Sequence, residues 1–62
     1  MTLERAFDLL TVQAEFGGTY NRNSARLILS TVRREFGQDA VDKLIRDLKL
    51  QQIFGFEPAG KL

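Results

Sequence analysis

Three Phe-Gly pairs divide this 62-residue chain, at Phe16-Gly17, Phe36-Gly37 and Phe54-Gly55. Each pair closes a segment whose apolar residues recur three and four positions apart, the spacing that places side chains on one face of an α-helix. Glycine directly after such a run is typical of a helix end, because it adopts the left-handed conformation without the penalty of a Cβ atom. The sequence therefore predicts helices separated by glycine stops.

The predicted elements are three helices and a final helical turn, at about residues 3–16, 24–36, 39–49 and 50–54. Candidate N-caps are Thr2 for the first helix, Asn23 or Ser24 for the second and Asp39 for the third, since these side chains can accept from the exposed amides of a first turn. Short links favour antiparallel neighbours. We therefore predict that residues 1–62 form one small all-α domain, a three-helix array with a short C-terminal helical turn and an irregular tail.

The predicted core follows the helical spacing. On the first helix it comprises Leu3, Ala6, Phe7, Leu10 and Ala14. On the second it comprises Ala25, Ile28, Leu29, Val32 and Phe36. On the third it comprises Val41, Leu44, Ile45 and Leu48. A chain of this length buries only about 60% of the surface that its unfolded form exposes, so packing or association has to stabilise it.

Composition limits the chemistry open to this chain. There is no Cys and no His, which excludes disulfides, thiolate or imidazole metal sites and a histidine base. We therefore expect no catalytic residues, no metal site, no cofactor and no small-molecule substrate, and we expect that the protein is not an enzyme. No apolar run approaches the roughly 18 residues that span a bilayer, so a soluble, cytoplasmic protein is expected without a membrane partner.

The first helix carries a second apolar line formed by Leu9, Val12 and Phe16. At 100° per residue this line faces nearly opposite the predicted core line, and a helix that is apolar on two sides has to be enclosed on two sides. One interpretation is that the chain's own tail covers the second line. The other is a protein interface at the second line that also includes Leu27 and Phe56.

Positive charge is concentrated in the middle of the chain, although nine basic residues nearly balance eight acidic ones overall. Arg22, Arg26 and Arg33 are spaced four and seven apart, which brings them to one side of the second helix. Such a stripe can bind the phosphates of nucleic acid. Alternatively, it is a solvated face that pairs with acidic residues of the first helix, which are Glu4, Asp8 and Glu15.

These patterns favour a small helical protein-interaction or regulatory module with no catalytic activity of its own. We predict self-association through the first helix and the C-terminal aromatic segment, with a second copy (a homodimer) or another protein as the partner. The alternative is a small nucleic-acid-binding regulator that uses the arginine stripe. The two differ in salt dependence, because a phosphate-binding face loses affinity steeply as salt rises.

Overall fold

A computed structural model describes residues 1–60 of the chain. Within that range it contains four helices and no strand, which confirms the predicted all-α class. The helices are α1 (Leu3–Phe16), α2 (Gly18–Phe36), α3 (Gln38–Asp47) and α4 (Leu50–Phe54). None of the helices in this part of the chain is long and apolar enough to cross a membrane.

Helix α1 begins and ends where the sequence predicts. The hydroxyl oxygen of Thr2 accepts from the amide of Arg5 at 3.0 Å, which satisfies one of the amides left without a helical partner. Glu4 lies in the first turn, next to the positive end of the helix dipole. At the other end the amide of Gly17 donates to the carbonyl of Gln13 at 2.9 Å. Local capping therefore accounts for both ends.

Single glycines link α1 to α2 and α2 to α3. Gly17 has φ 64° and ψ −163°, and Gly37 has φ 95° and ψ 172°. The positive φ agrees with the prediction, but the extended ψ does not, because only Gly55 (φ 81°, ψ 15°) has the left-handed helical conformation. A positive φ with extended ψ is essentially restricted to glycine. One such residue separates each of these helices from the next, and at the first link Gly18, with φ 83°, also has positive φ.

The predicted start of the second helix is wrong. Helix α2 begins at Gly18 rather than at residue 24, so the N-cap candidates Asn23 and Ser24 lie inside it. The physical reason is that Gly17 and Gly18, which both have positive φ, complete the turn, so no further connecting residues are needed. The side-chain amide of Asn21 donates to the carbonyl oxygen of Gly17 at 2.6 Å, which supports this early first turn.

Helix α3 is displaced from its predicted range at both ends. It begins at Gln38, which places Asp39 in the first turn rather than at the cap. It ends at Asp47, because Lys49 takes the left-handed conformation with φ 55° and ψ 40°. The residue that separates α3 from α4 in the left-handed conformation is therefore not a glycine. Helix α4 starts directly after it, at the predicted position.

The core draws on every helix. Its buried residues are Ala6, Leu10, Ala25, Leu29, Val32, Val41, Leu44, Ile45, Leu50, Phe54 and Phe56. Three residues predicted for the core, Leu3, Phe7 and Phe36, are exposed instead. Leu3 and Phe7 line an open groove at the flank of α1, and Phe36 is the last residue of α2, beside the Gly37 reversal. Helical spacing selected the right lines of residues, but it does not show which members of a line the neighbouring elements leave uncovered.

The helices pack in chain order. Helix α1 packs against α2, α2 against α3 and α3 against α4, and α4 also contacts α1. The amino group of Met1 lies 3.4 Å from Oε1 of Glu35, so the start of α1 adjoins the end of α2. These two helices are therefore antiparallel, as the short link predicts.

The tail after α4, residues 55–60, is irregular but held in place at two points. Near its start the Phe56 ring is buried against Phe54, with ring centroids 5.9 Å apart. Near its end the amide of Ala59 donates to Oδ1 of Asp42 at 2.6 Å. Hydrogen bonds from Gln38 and Ala59 lower the pKa of Asp42 below its usual value, so the ionised carboxylate is the form that holds the tail.

Candidate interaction surface

Among the large apolar or aromatic side chains exposed on α1 and α2, four have the highest exposed fractions. The exposed fraction is 48% for Val12, 76% for Phe16, 82% for Tyr20 and 65% for Leu27. We call these four residues the exposed apolar set. Large side chains this open are costly to leave in water, and when they occur together they are characteristic of binding surfaces.

The backbone explains why Phe16 and Tyr20 stay open. Phe16 is the last residue of α1, and Tyr20 lies in the first turn of α2, so both flank the single-residue link at Gly17. Tyr20 and Leu27 are seven positions apart, which places them on one line of α2. That line points away from the buried residues Ala25 and Leu29.

The described part of the tail, residues 55–60, does not cover the second apolar line of α1. Its aromatic residue Phe56 is 4% exposed and belongs to the core, while Val12 and Phe16 remain open. The interpretation that the tail encloses this line is therefore wrong. The same finding corrects the predicted interface, because a buried Phe56 is not on the surface of the folded chain. Leu9, another predicted interface residue, is half-buried, so Val12, Phe16 and Leu27 are the predicted interface residues that are exposed.

Arg22 has a structural partner that the sequence did not indicate. Its Nε–H donates to the carbonyl oxygen of Phe54 at 2.9 Å. Its guanidinium carbon lies 5.0 Å from the centroid of the Phe56 ring, within the range of a cation–π contact. Arg22 thus joins α2 to the end of α4 and to the tail. Of the three arginines in the predicted stripe, only Arg26 and Arg33 have no such contact within the described chain.

The charged faces of α1 and α2 do not pair within the chain. Among residues 1–60 the ion pairs within 4.0 Å are Met1–Glu35 and Lys43–Asp47. The suggested partners of the arginines on α1, which are Glu4, Asp8 and Glu15, take part in neither. The arginines are exposed, as a solvated face requires, but the expected pairing with acidic residues of α1 is not found among residues 1–60.

An apolar groove of about 220 Å³ lies between the first half of α1 and α3. Leu3, Phe7, Ala40 and Leu44 form its apolar lining, and Glu4 lies at its edge with the Lys43–Asp47 pair. Sequence reasoning assigned Leu3 and Phe7 to the core and so missed this groove. It likewise missed Tyr20, which it placed in a connecting loop. The sequence held only part of the signal for the groove, because Phe7 lies at one edge of the predicted core line whereas Leu3 lies near its centre.

The described residues offer little to hold a metal. No three His, Cys, Asp or Glu side chains in residues 1–60 are arranged to hold an ion. Asp39, Asp42 and Asp47 share α3, but Asp42 accepts from Gln38 and Ala59, and Asp47 pairs with Lys43. Asp42 and Asp47 therefore serve local structure.

The chain matches no protein-family model, and it has no significant match among curated proteins or among solved structures.

Proposed function

We propose that this protein is a non-catalytic helical interaction module that self-associates through the exposed apolar set on α1 and α2. The observation that supports this proposal is the exposure of Phe16, Tyr20 and Leu27, each open over more than half of its surface. Aromatic side chains are enriched among the residues that dominate binding energy at protein interfaces. Phe16 and Tyr20 are the anchors of the proposed interface.

The available area is adequate for a small interface. Aromatic side chains bury about 150–250 Å² each, so Phe16 and Tyr20 together contribute on the order of 300 Å². A standard interface buries about 800 Å² per partner, which is about a fifth of the 4075 Å² surface of this chain. Val12, Leu27 and a polar rim supply the remainder. The core of so small a domain supplies little stability, and association with a second copy adds to it.

A nucleic-acid-binding regulator is the second candidate, and it rests on the exposure of Arg26 and Arg33. The contact of Arg22 with Phe54 and Phe56 weakens it, because that arginine already has partners in the chain. Fluorescence anisotropy with a labelled duplex separates the candidates. Phosphate binding weakens steeply with salt and further in Arg26→Ala. Under the self-association proposal, no such salt-dependent binding is expected.

The proposal is tested by sedimentation equilibrium over a wide protein concentration range, at low and high salt. We expect a dimer that persists in high salt, because apolar contacts are not screened. Val12→Asp and Phe16→Asp should shift the equilibrium to monomer. Ile53→Asp is the matched control, since Ile53 on α4 is exposed to nearly the same extent as Val12.

Circular dichroism of each variant establishes that it remains helical. A folded monomer from Val12→Asp or Phe16→Asp, together with a dimer from Ile53→Asp, supports the proposal. A wild-type chain that is monomeric at every concentration overturns it. Equal loss of association in Ile53→Asp also overturns it, because the contact then does not depend on the exposed apolar set.

A further inference from the structure

We infer that α1 of one copy packs against α2 of a second copy, and that opposite charges on the two helices select this pairing over α1 against α1. The inference rests on the proposed self-association and adds the orientation of the partner. It is carried by the charge distribution of the two helices and by the absence of ion pairs between them within the described chain.

The outer face of α1 is acidic. Glu4, Asp8 and Glu15 are spaced four and seven positions apart, which places them on one line of the helix. All three are exposed, and at 100° per residue their line points away from the buried residues Ala6 and Leu10. The one basic residue of α1 lies off this line.

The exposed side of α2 is basic. Arg26, Arg33 and Arg34 are all exposed. Arg34 lies seven positions after Leu27 and so continues the line that carries Tyr20 and Leu27. The single acidic residue of α2 is already paired with the amino group of Met1. Arg34 therefore lies beside the apolar anchors of α2, whereas Arg26 and Arg33 lie roughly 110° around the helix, on the side of Arg22. The exposed surface of α2 is basic on both of these sides.

The two charged faces cannot neutralise each other inside one chain. Asp8 and Arg26 lie at equal chain distances from Gly17, so they are at about the same level in the antiparallel pair. Even so, they form no ion pair within 4.0 Å, because the acidic line turns outward from the pair. Each copy therefore presents an unneutralised acidic face and an unneutralised basic face.

Pairing between two copies can bring the acidic face of one copy opposite the basic face of the other. Two α1 helices face to face bring three carboxylates of each copy together, and like charges in an interface disfavour that pairing. Packing α1 against α2 of the second copy places acidic residues opposite arginines. A two-fold axis then forms the same contact twice, since each copy supplies both helices.

Charge reversal tests the inference. One variant carries Glu4→Lys, Asp8→Lys and Glu15→Lys. A second carries Arg26→Glu, Arg33→Glu and Arg34→Glu. A third combines all six changes and so keeps the wild-type net charge of +1. Sedimentation equilibrium at about 0.1 M salt measures each dissociation constant, because the screening length is then about 10 Å. Circular dichroism confirms that each variant is folded.

Each triple variant should weaken the dimer at least about tenfold, because α1 and α2 then carry like charge. The sixfold variant should return to within about threefold of wild type, because opposite charges again face each other. A sixfold variant that stays monomeric while the wild type dimerises overturns the inference alone. An arginine-reversed variant that dimerises like wild type also overturns it, since α2 then lies outside the interface. A monomeric wild type overturns the proposed function itself.

Discussion

Phe16-Gly17 and Phe54-Gly55 share a dipeptide and a backbone role, but their phenylalanines have opposite environments. In both pairs the glycine amide donates at 2.9 Å to the carbonyl four residues earlier, to Gln13 in one and Gln51 in the other. The Phe16 side chain is 76% exposed, whereas the Phe54 side chain is 7% exposed. Glycine therefore determines where a helix ends, and something else determines whether the preceding ring is buried.

That second factor is the path of the chain after the glycine. After Gly55 the chain returns over the core, so that Phe56 packs against Phe54 and Arg22 reaches both residues. After Gly17 the chain enters α2 at once, and no described element folds over Phe16. A ring at a helix end is buried only where a later segment crosses it.

The largest expected effect on stability comes from truncating the buried ring of the two. Phe54→Ala should lower the free energy of unfolding by about 3–5 kcal/mol, because it removes a buried aromatic side chain and leaves a cavity. Phe16→Ala is the matched control and should change it by no more than about 0.5 kcal/mol in the monomer. Urea denaturation at concentrations below dimerisation measures both. If the two substitutions lowered the free energy of unfolding equally, Phe16 and Phe54 would not differ in burial.

The features that could be predicted from the sequence are those that depend on residues close together in the chain. Thr2 and Gly17 define α1 by local hydrogen bonds, and helical spacing identified most of the buried lines. The polar stretch from Thr19 to Asn23 has the composition of a loop, but Gly17 and Gly18 have already reversed the chain, so helix α2 includes it. Intrinsic propensity is a weak guide when the turn is completed elsewhere.

Features that depend on distant residues had no signal in the sequence. The Arg22–Phe54 bond joins positions 32 apart, and the Asp42–Ala59 bond joins positions 17 apart. Neither spacing corresponds to a periodic pattern, so the arginine was interpreted by its charge alone. For the candidate surface, periodicity identified the line through Val12 and Phe16. Only the folded chain shows that the tail leaves this line open.

A smaller effect on stability is expected when the glycine of the third Phe-Gly pair, Gly37, is replaced. Gly37→Val should lower the free energy of unfolding by about 1–3 kcal/mol, because a β-branched residue is strained at φ 95° with extended ψ. A Cβ atom placed there meets nothing within 4 Å, so the cost is conformational rather than a collision. Gln52→Val, at an exposed helical position, is the control and should cost about 0.5 kcal/mol. A thermal melting point unchanged by Gly37→Val would contradict the role assigned to this glycine.

The smallest effect concerns the contact that distinguishes the buried pair from the exposed one. Arg22→Ala should lower the free energy of unfolding by about 1–2 kcal/mol, because it removes both the bond to the Phe54 carbonyl and the contact with the Phe56 ring. Arg26→Ala, on the same side of α2 without these contacts, should change it by no more than about 0.5 kcal/mol. Arg22→Lys should recover only part of the loss, since an ammonium group lacks the planar Nε–H donor. If Arg22→Ala and Arg26→Ala were equivalent in urea denaturation, burial of Phe54 would depend on apolar packing alone and not on the arginine that spans α2 and the tail.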